Sequence, residues 1–508
     1  MSNFTQSLHG RVASACCAYL DVQEDRSAPV VRLRAPSEVK AAFEEIGVPL
    51  SLLGNANNAC SDDKLMEAVN LVLNLSVRTG SPFFFNQLYG RAAPASIAGD
   101  WVSAATNTNG HTYEVAPVYT VMEREVLAKC ATDLLGGPYY GRAHDGLMVA
   151  GGSLSNLYGL TLARARADPK ANTRGLHGGP RLVAFCSEQA HYSYLKSARL
   201  LGIGSDNLIK VKSDHRSGRM DVEALKIAID AARESGGVPF FVGSTAGTTV
   251  LGAYDDFTSI QDVIDRENSV SDVEIWHHID GCWGGSAMVS PRLKRAYMGG
   301  AERADSIAWN PHKMMGAALQ TSIFLTRHPK ALASTNGTQA SYLFQPDKLN
   351  NQYDCGDKTI QCGRKTDALK LWMLWKQRGD AGMAASAEKC FHLAMRFREG
   401  MAKGGDAWHI VGVPSCTNVC FWYIPKRLRP WNPETATEAE REDLNKIAPT
   451  IKAKMQEAGL ALIGFQSDAF IEHGDINFFR MVFAACDIHT DEDTDEVLLQ
   501  IDRIGADL

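Results

Sequence analysis

Four short segments carry side chains whose types and spacing could do chemistry. In AWNPHKMMG (308–316), Lys313 follows an expected strand end and a proline that fixes the turn, beside His312 and among apolar neighbours. An amine held there can have its pKa lowered enough to act as a Schiff-base nucleophile, although most lysines are solvated surface groups. In HHIDGCWGG (277–285), Asp280 closes an apolar run just before a glycine-containing turn. Such a carboxylate can pair with a protonated pyridine nitrogen, or simply cap a turn. In VAGGSLSNLYGLTLARARA (149–167), Gly151, Gly152 and Ser153 precede a helical run. Unpaired N–H groups and the positive end of the helix dipole suit a phosphate there, while a Gly-Gly turn with a serine cap is the commonplace alternative. In SEQAHYSYLKSARLLGIG (187–204), His191 falls in the first turn of an expected helix, where its ring could stack on a flat heterocycle or be structural.

These groups need a scaffold that brings strand ends together. From about 145 to 330 strands and helices alternate, with strands expected at 181–187, 208–213, 238–245, 274–280, 305–310 and 321–326, and helices at 221–235 and 256–267 among others. Near-continuous apolar strands joined by helical crossovers predict a mostly parallel sheet covered on both faces, with ligands at the carboxyl ends of its strands. Before it, 36–47 and 62–75 read as amphipathic packing helices. After about 376 a long helix (380–402), strands at 408–412, 418–424, 460–465 and 476–485, and helices at 440–458 and 491–503 predict a smaller α+β domain, with an exposed Pro-rich connection at 425–437. A phosphate cradle, a stacking ring, a pyridine partner and a Schiff-base lysine, in that order along one α/β segment, describe a site for pyridoxal phosphate.

Composition narrows the partners. The 508 residues carry a formal charge of -6, so the basic excess of a nucleic-acid or anionic-membrane binder is missing. Apolar runs such as VNLVLNLSV (69–77) fall short of the roughly 18 residues a membrane span needs. The start, MSNFTQSLHGR, has no apolar signal-peptide core. Twelve scattered cysteines without a zinc spacing predict free thiols in a reducing compartment and no structural metal.

The segments FNQLYG, NTNGHTYEVAPVY, GGSLSNLYGLTLAR, TAGTTVLGAYD, HIDGCWGG, ADSIAWNPHK, SYLFQPDK and NFFRMV resemble the pyridoxal-phosphate group II amino-acid decarboxylases, in the acidic-substrate branch that includes glutamate decarboxylase and cysteine sulfinate decarboxylase. The resemblance runs from about residue 35 onward. It implies an aminotransferase-like (type I) α/β fold with a mostly parallel seven-stranded sheet. It further implies a helical segment over 1–85, a large cofactor domain over 86–375, a small α+β domain over 376–508, and a cytoplasmic homodimer with shared active sites.

Residue by residue, the resemblance makes Lys313 the lysine of the internal aldimine, Asp280 the acid on the pyridine nitrogen and His191 the stacking ring. It sets Gly152, Ser153, Asn310 and His312 around the phosphate, Thr248 beside the ring, and Gln87, Tyr89 and Arg480 in the pocket for a small acidic substrate. An Arg there makes chemical sense, because its planar fork grips a carboxylate or sulfinate. Departures from the family pattern are Cys282, where alanine is usual, and Asn350, which replaces a loop tyrosine and cannot act as an acid. Tyr353 is then the candidate proton donor.

Tyr89 matches cysteine sulfinate decarboxylases, Asn109 matches glutamate decarboxylases, and His111 stands where both have Phe or Tyr. The expectation is therefore decarboxylation of cysteine sulfinate or cysteate, then aspartate, with glutamate as runner-up. An aminotransferase, or a catalytically silent cofactor-binding regulator, are the alternatives from other classes.

Overall fold

The computed structural model describes residues 6–53, 59–345 and 347–508. Met1–Thr5 of the N-terminal stretch and Pro346 of SYLFQPDK lie outside them. Twelve strands occur among the described residues: β1 (Phe84–Phe85), β2 (Asp145–Val149), β3 (Leu182–Ser187), β4 (Leu208–Val211), β5 (Val238–Thr245), β6 (Trp276–Gly281), β7 (Ser306–Trp309), β8 (Ser322–Thr326), β9 (Trp408–Ile410), β10 (Asn418–Tyr423), β11 (Leu462–Gln466) and β12 (Phe478–Val482).

Seven of these form the large sheet, in the order β2-β8-β7-β6-β5-β3-β4. Neighbours from β7 to β4 pair in parallel, and β8 runs antiparallel to both β7 and β2. The mostly parallel seven-stranded sheet and the six strands expected within it are therefore present. β2 completes the set without having been picked out individually.

The run LVAFCS of β3 shows why these strands read as continuously apolar. Leu182, Ala184 and Cys186 pack into one core with Tyr158, Leu160 and Leu162 of the helix Gly152–Ala167. Val183 and Phe185 pack into another, with Leu225 and Ile229 of the helix Val222–Glu234 and Ile260 and Ile264 of the helix Phe257–Asn268. Successive side chains point to opposite faces, and both faces are dry.

The second sheet has the order β1-β11-β12-β10-β9, so the short strand Phe84–Phe85 pairs in parallel with Leu462–Ile463 near the other end of the chain. The long helix expected at 380–402 runs from Ala368 to Lys403, broken at Gly379, whose φ of +63° no helix interior adopts. All twelve cysteines are free thiols, as the scattered spacing predicted. No helix among the described residues is long and apolar enough to cross a membrane.

A buried ion pair ties the segments flanking the sheet together. Arg364 donates 2.6 Å bonds to Glu123 and to the Gly110 carbonyl, and a 3.0 Å bond to the Met148 carbonyl of β2. Burial opposes the guanidinium charge and the Glu123 carboxylate more than restores it. Removing one partner strands a buried charge. Arg364→Met should therefore cost about 3 to 5 kcal/mol in equilibrium urea unfolding.

Candidate active site

The cleft lies where a parallel sheet places ligands, at the carboxyl ends of β5, β6 and β7. Register aligns Thr245 with Asp280 and Asp280 with Ala308, so one row across three strands leads into the turns that carry Thr249, Cys282 and Lys313. A cavity of about 240 Å³ is lined there by Gly152, Ser153, His191, Asp280, Cys282, Asn310, His312 and Lys313. Every residue expected at the cofactor comes together except Thr248.

Asp280 is buried, and its two oxygens are occupied differently. Oδ1 accepts the backbone N–H of Cys282 at 3.1 Å, and Oδ2 accepts Asn156 Nδ2 at 2.8 Å. Burial alone would raise this carboxyl. Hydrogen bonding, first from Cys282 and then from Asn156, with the positive charge available at Lys313 nearby, overcomes that and holds it below the ordinary carboxylate range. His191 is pushed the other way, because burial disfavours its charged form. His312 is lowered to about 4, chiefly by burial, and its Nδ1 lies 2.6 Å from the Thr321 carbonyl. Asn310 accepts a bond from the Ser322 hydroxyl.

Two placements differ from expectation. His191 precedes the helix Ser193–Leu200 instead of lying in its first turn, and its Nδ1 is 2.9 Å from Ser193 Oγ. Thr248 is fully buried, because its hydroxyl accepts the Ala253 N–H at 3.0 Å to close a tight turn. Thr249, the next residue, lines the cleft instead. Asn156, Tyr192, Thr245, Gly247 and Trp283 also line it and were not singled out from the sequence. Asn156 was legible in principle, since it lies one turn beyond Gly152 on the same helix face.

The substrate residues form a separate group. Arg480 sits in β12 between Gly464 and Cys420 on the adjoining strands. It donates to the Thr249 carbonyl at 3.1 Å and to the Asn86 carbonyl at 3.2 Å, which sets it against the cleft rim and beside exposed Gln87. Lys452 joins it through Asn86 Oδ1 at 2.9 Å. No carboxylate among the described residues pairs with either cation. Burial lowers the pKa of both.

Tyr89 packs on Phe84, with ring centroids 5.9 Å apart. Asn109 Oδ1 accepts the Arg364 N–H at 2.9 Å, and the His111 carbonyl accepts Gly356 N–H at 2.7 Å. Tyr353 lies in a separate cage, with Tyr113 at 5.6 Å and the Arg124 guanidinium 4.4 Å over its ring. None of Tyr89, Asn109, His111 and Tyr353 lines this chain's cleft.

A charged aspartate and a lysine at neighbouring strand ends, with a helix N-terminus at the rim, define a type I pyridoxal-phosphate protein. The family model described as the pyridoxal-dependent decarboxylase conserved domain matches residues 52–424, and the chain belongs to that family. Rat cysteine sulfinic acid decarboxylase is 41% identical over 451 residues, 88% of this chain and 87% of that protein. The crystal structure of mouse CSAD superposes with a TM-score of 0.90 at 36% identity over 99% of both chains. The Oryza sativa TDC structure with PLP and tryptamine has a TM-score of 0.84 at 24% identity, over 99% of this chain and 98% of that one, a likeness of fold alone.

The chain is thus an amino-acid decarboxylase whose cofactor is pyridoxal 5'-phosphate, and the cleft fits that group. Asp280 is a charged acceptor for a pyridinium N–H, and the first turn of the helix Gly152–Ala167 offers N–H groups to a phosphate. The buried Thr245 hydroxyl has no hydrogen-bond partner among the described residues.

A Cβ on Gly152 would run into Cys282 Sγ and lie 2.9 Å from Asn310 Nδ2. Gly152→Ala should therefore destabilise the protein by about 1 to 3 kcal/mol, and Cys282→Ala in the same chain should recover most of it. Urea unfolding of the four-member cycle reads the coupling.

Proposed function

We propose that the protein decarboxylates a short acidic amino acid, cysteine sulfinate or cysteate first and aspartate next, as a homodimer with shared sites. The observation that carries the reading is the Arg480 guanidinium, mostly buried, without an acidic partner among the described residues and bonded to the cleft rim at Thr249. A guanidinium so placed favours a substrate that brings its own anion. The 41% identity to rat cysteine sulfinic acid decarboxylase supports the sulfinate. Glutamate is the runner-up: Asn109 Oδ1 accepts the Arg364 N–H, and a longer substrate's distal carboxylate would be met by the Nδ2 donors of the same side chain.

In this reading the Lys313 amine would hold the cofactor covalently. Asp280 would accept the pyridinium N–H, His191 would stack on the ring, and Ser153, Asn310 and His312 would bind the phosphate. The cofactor, when bound, supplies the electron sink for the pair left behind as carbon dioxide departs. Arg480 would orient the substrate through its distal acid group, and Tyr89, packed on Phe84 beyond the cofactor cavity and near the Asn86 carbonyl that Arg480 bonds, would limit its length from that side. The carbon that loses carbon dioxide then needs a proton. Asn350 has no acidic proton to give, so the Tyr353 phenol, once out of its cage, is the donor.

Pairing of two chains is supported by apolar side chains left exposed on three helices that pack together, Pro94–Thr106, Pro117–Lys129 and Ala368–Lys403: Trp101 at 42%, Val118 at 64% and Trp372 at 36%. A twofold pair would also give the segments at 109–111 and 353 a neighbouring cleft to serve.

Comparison of kcat/KM for cysteine sulfinate, cysteate, aspartate and glutamate tests the substrate. Cysteine sulfinate or cysteate should lead, and Tyr89→Ser should narrow the gap to glutamate. Arg480→Met should lower kcat/KM about a hundred-fold or more while cofactor absorbance is retained, since two bonds to a charged group are lost. Glutamate leading in the parent protein would overturn the reading.

A further inference from the structure

An unbroken hydrogen-bonded relay runs from Trp276 to Asp280, its polarity is fixed at both ends, and a branch from its middle reaches His191. At one end, Trp276 Nε1 can only donate, and it donates to Ser306 Oγ at 2.8 Å. At the other, the Asp280 carboxylate can only accept, and Oδ2 lies 2.8 Å from the Asn156 side-chain amide. That atom must therefore be the amide nitrogen, which turns Asn156 Oδ1 toward His278 Nε2 at 3.0 Å. An amide oxygen only accepts, so His278 carries its proton on Nε2. Its bare Nδ1 then takes the Ser306 hydroxyl proton at 2.7 Å, and Ser306 Oγ remains free to accept from Trp276.

The second Asn156 N–H goes to Ser193 Oγ at 2.9 Å. Ser193 in turn spends its hydroxyl proton on His191 Nδ1 at 2.9 Å, joined there by its own backbone N–H at 3.3 Å. Each donor in the relay meets an acceptor and no proton is shared. Reversing any one bond would leave two donors or two acceptors facing each other in a buried site.

The helix is built to allow this. Gly159 lies three residues beyond Asn156 on the same face, and a Cβ there would sit 2.8 Å from His278 Nδ1, so the missing side chain makes room for the ring. His278 itself is held at about 4 by burial, which keeps it neutral throughout the relay.

We propose that Asn156 and His278 are positioning residues that fix Asp280 as a charged acceptor and lock His191 as a neutral ring with its proton on Nε2. This rests on the reading of Asp280 and His191 as the pyridine partner and the stacking ring. The two settings act together. A charged Asp280 favours a protonated pyridine, and a neutral His191 can lie over that cationic ring where an imidazolium would repel it.

The test begins with the parent holoenzyme labelled with ¹⁵N in its histidine rings. Long-range proton–nitrogen correlation, assigned by the signals lost in His191→Phe and His278→Gln, should show the neutral Nε2–H form at both rings near neutral pH. An Nδ1–H form at either ring, or an imidazolium at His278, overturns the inference. This measurement involves neither substrate nor turnover, so it stands or falls apart from the decarboxylase reading.

The second measurement is the dissociation constant for pyridoxal 5'-phosphate, followed by tryptophan fluorescence. Asn156→Asp keeps the side-chain shape and removes both N–H donors, and should weaken cofactor binding about ten-fold or more. His278→Leu should do the same, whereas His278→Gln, which returns an N–H near the Nε2 position, should recover most of the affinity. Cofactor affinity unchanged in Asn156→Asp would show that shape alone matters and would defeat the proposal.

Discussion

The carboxylate of Asp280 must remain charged within a sheet whose two faces are apolar, and the architecture around it answers that requirement. An isolated buried carboxylate takes up a proton instead of staying ionised. Here the end of β6 turns its own backbone back, so that Cys282 N–H meets one oxygen, while the helix Gly152–Ala167 comes close enough for Asn156 to meet the other. That approach is possible because the helix carries glycine at the two positions where a side chain would strike Cys282 and His278. The phosphate cradle and the acid's support are thus one element seen at two successive turns.

The C-terminal sheet is coupled to the same place. Asn418 of β10 accepts Trp283 Nε1 at 2.7 Å and donates to the Thr249 carbonyl at 3.0 Å, the same oxygen that accepts from Arg480. Two turns at the carboxyl ends of β5 and β6 are thereby fastened to the strands that carry the substrate-binding cation. The group expected to grip the substrate is fixed relative to the lysine and aspartate through side chains that share the Thr249 carbonyl.

Much of this was legible in the sequence because its signals are local. Apolar strands with crossover helices gave the large sheet, and the order of Ser153, His191, Asp280 and Lys313 along one α/β segment matched strand ends that do converge. What was not legible depends on which way a side chain turns or what crosses from another element. Thr248 and Thr249 are indistinguishable as neighbours in a string, and a turn closing on Ala253 decides which one reaches the cleft. Asn109 was singled out as a substrate contact, and no local signal showed that its Oδ1 would accept the N–H of Arg364, some 255 positions away. Lys452 carries no motif at all, and only the pairing of β1 with β11 brings Asn86 between it and Arg480. The family resemblance supplied Arg480 where spacing alone offered no reason to single it out.

The strand Phe84–Phe85 has a consequence for how the chain acquires its structure. Its partner, Leu462–Ile463, leaves the ribosome only after nearly the whole molecule has been synthesised. Until then Phe83, Phe84 and Phe85, all buried in the finished protein, have nowhere to go. β11 in turn presents an open edge until the N-terminal segment arrives, which is the kind of surface that recruits strands from other chains. Closing a loop of this span is slow because the entropy is lost before any contact repays it. β1 can therefore join the C-terminal sheet only after β11 has been made. A nascent or truncated chain lacking either half exposes aromatic residues and an unpaired strand edge together, the combination that chaperones hold and that aggregates propagate.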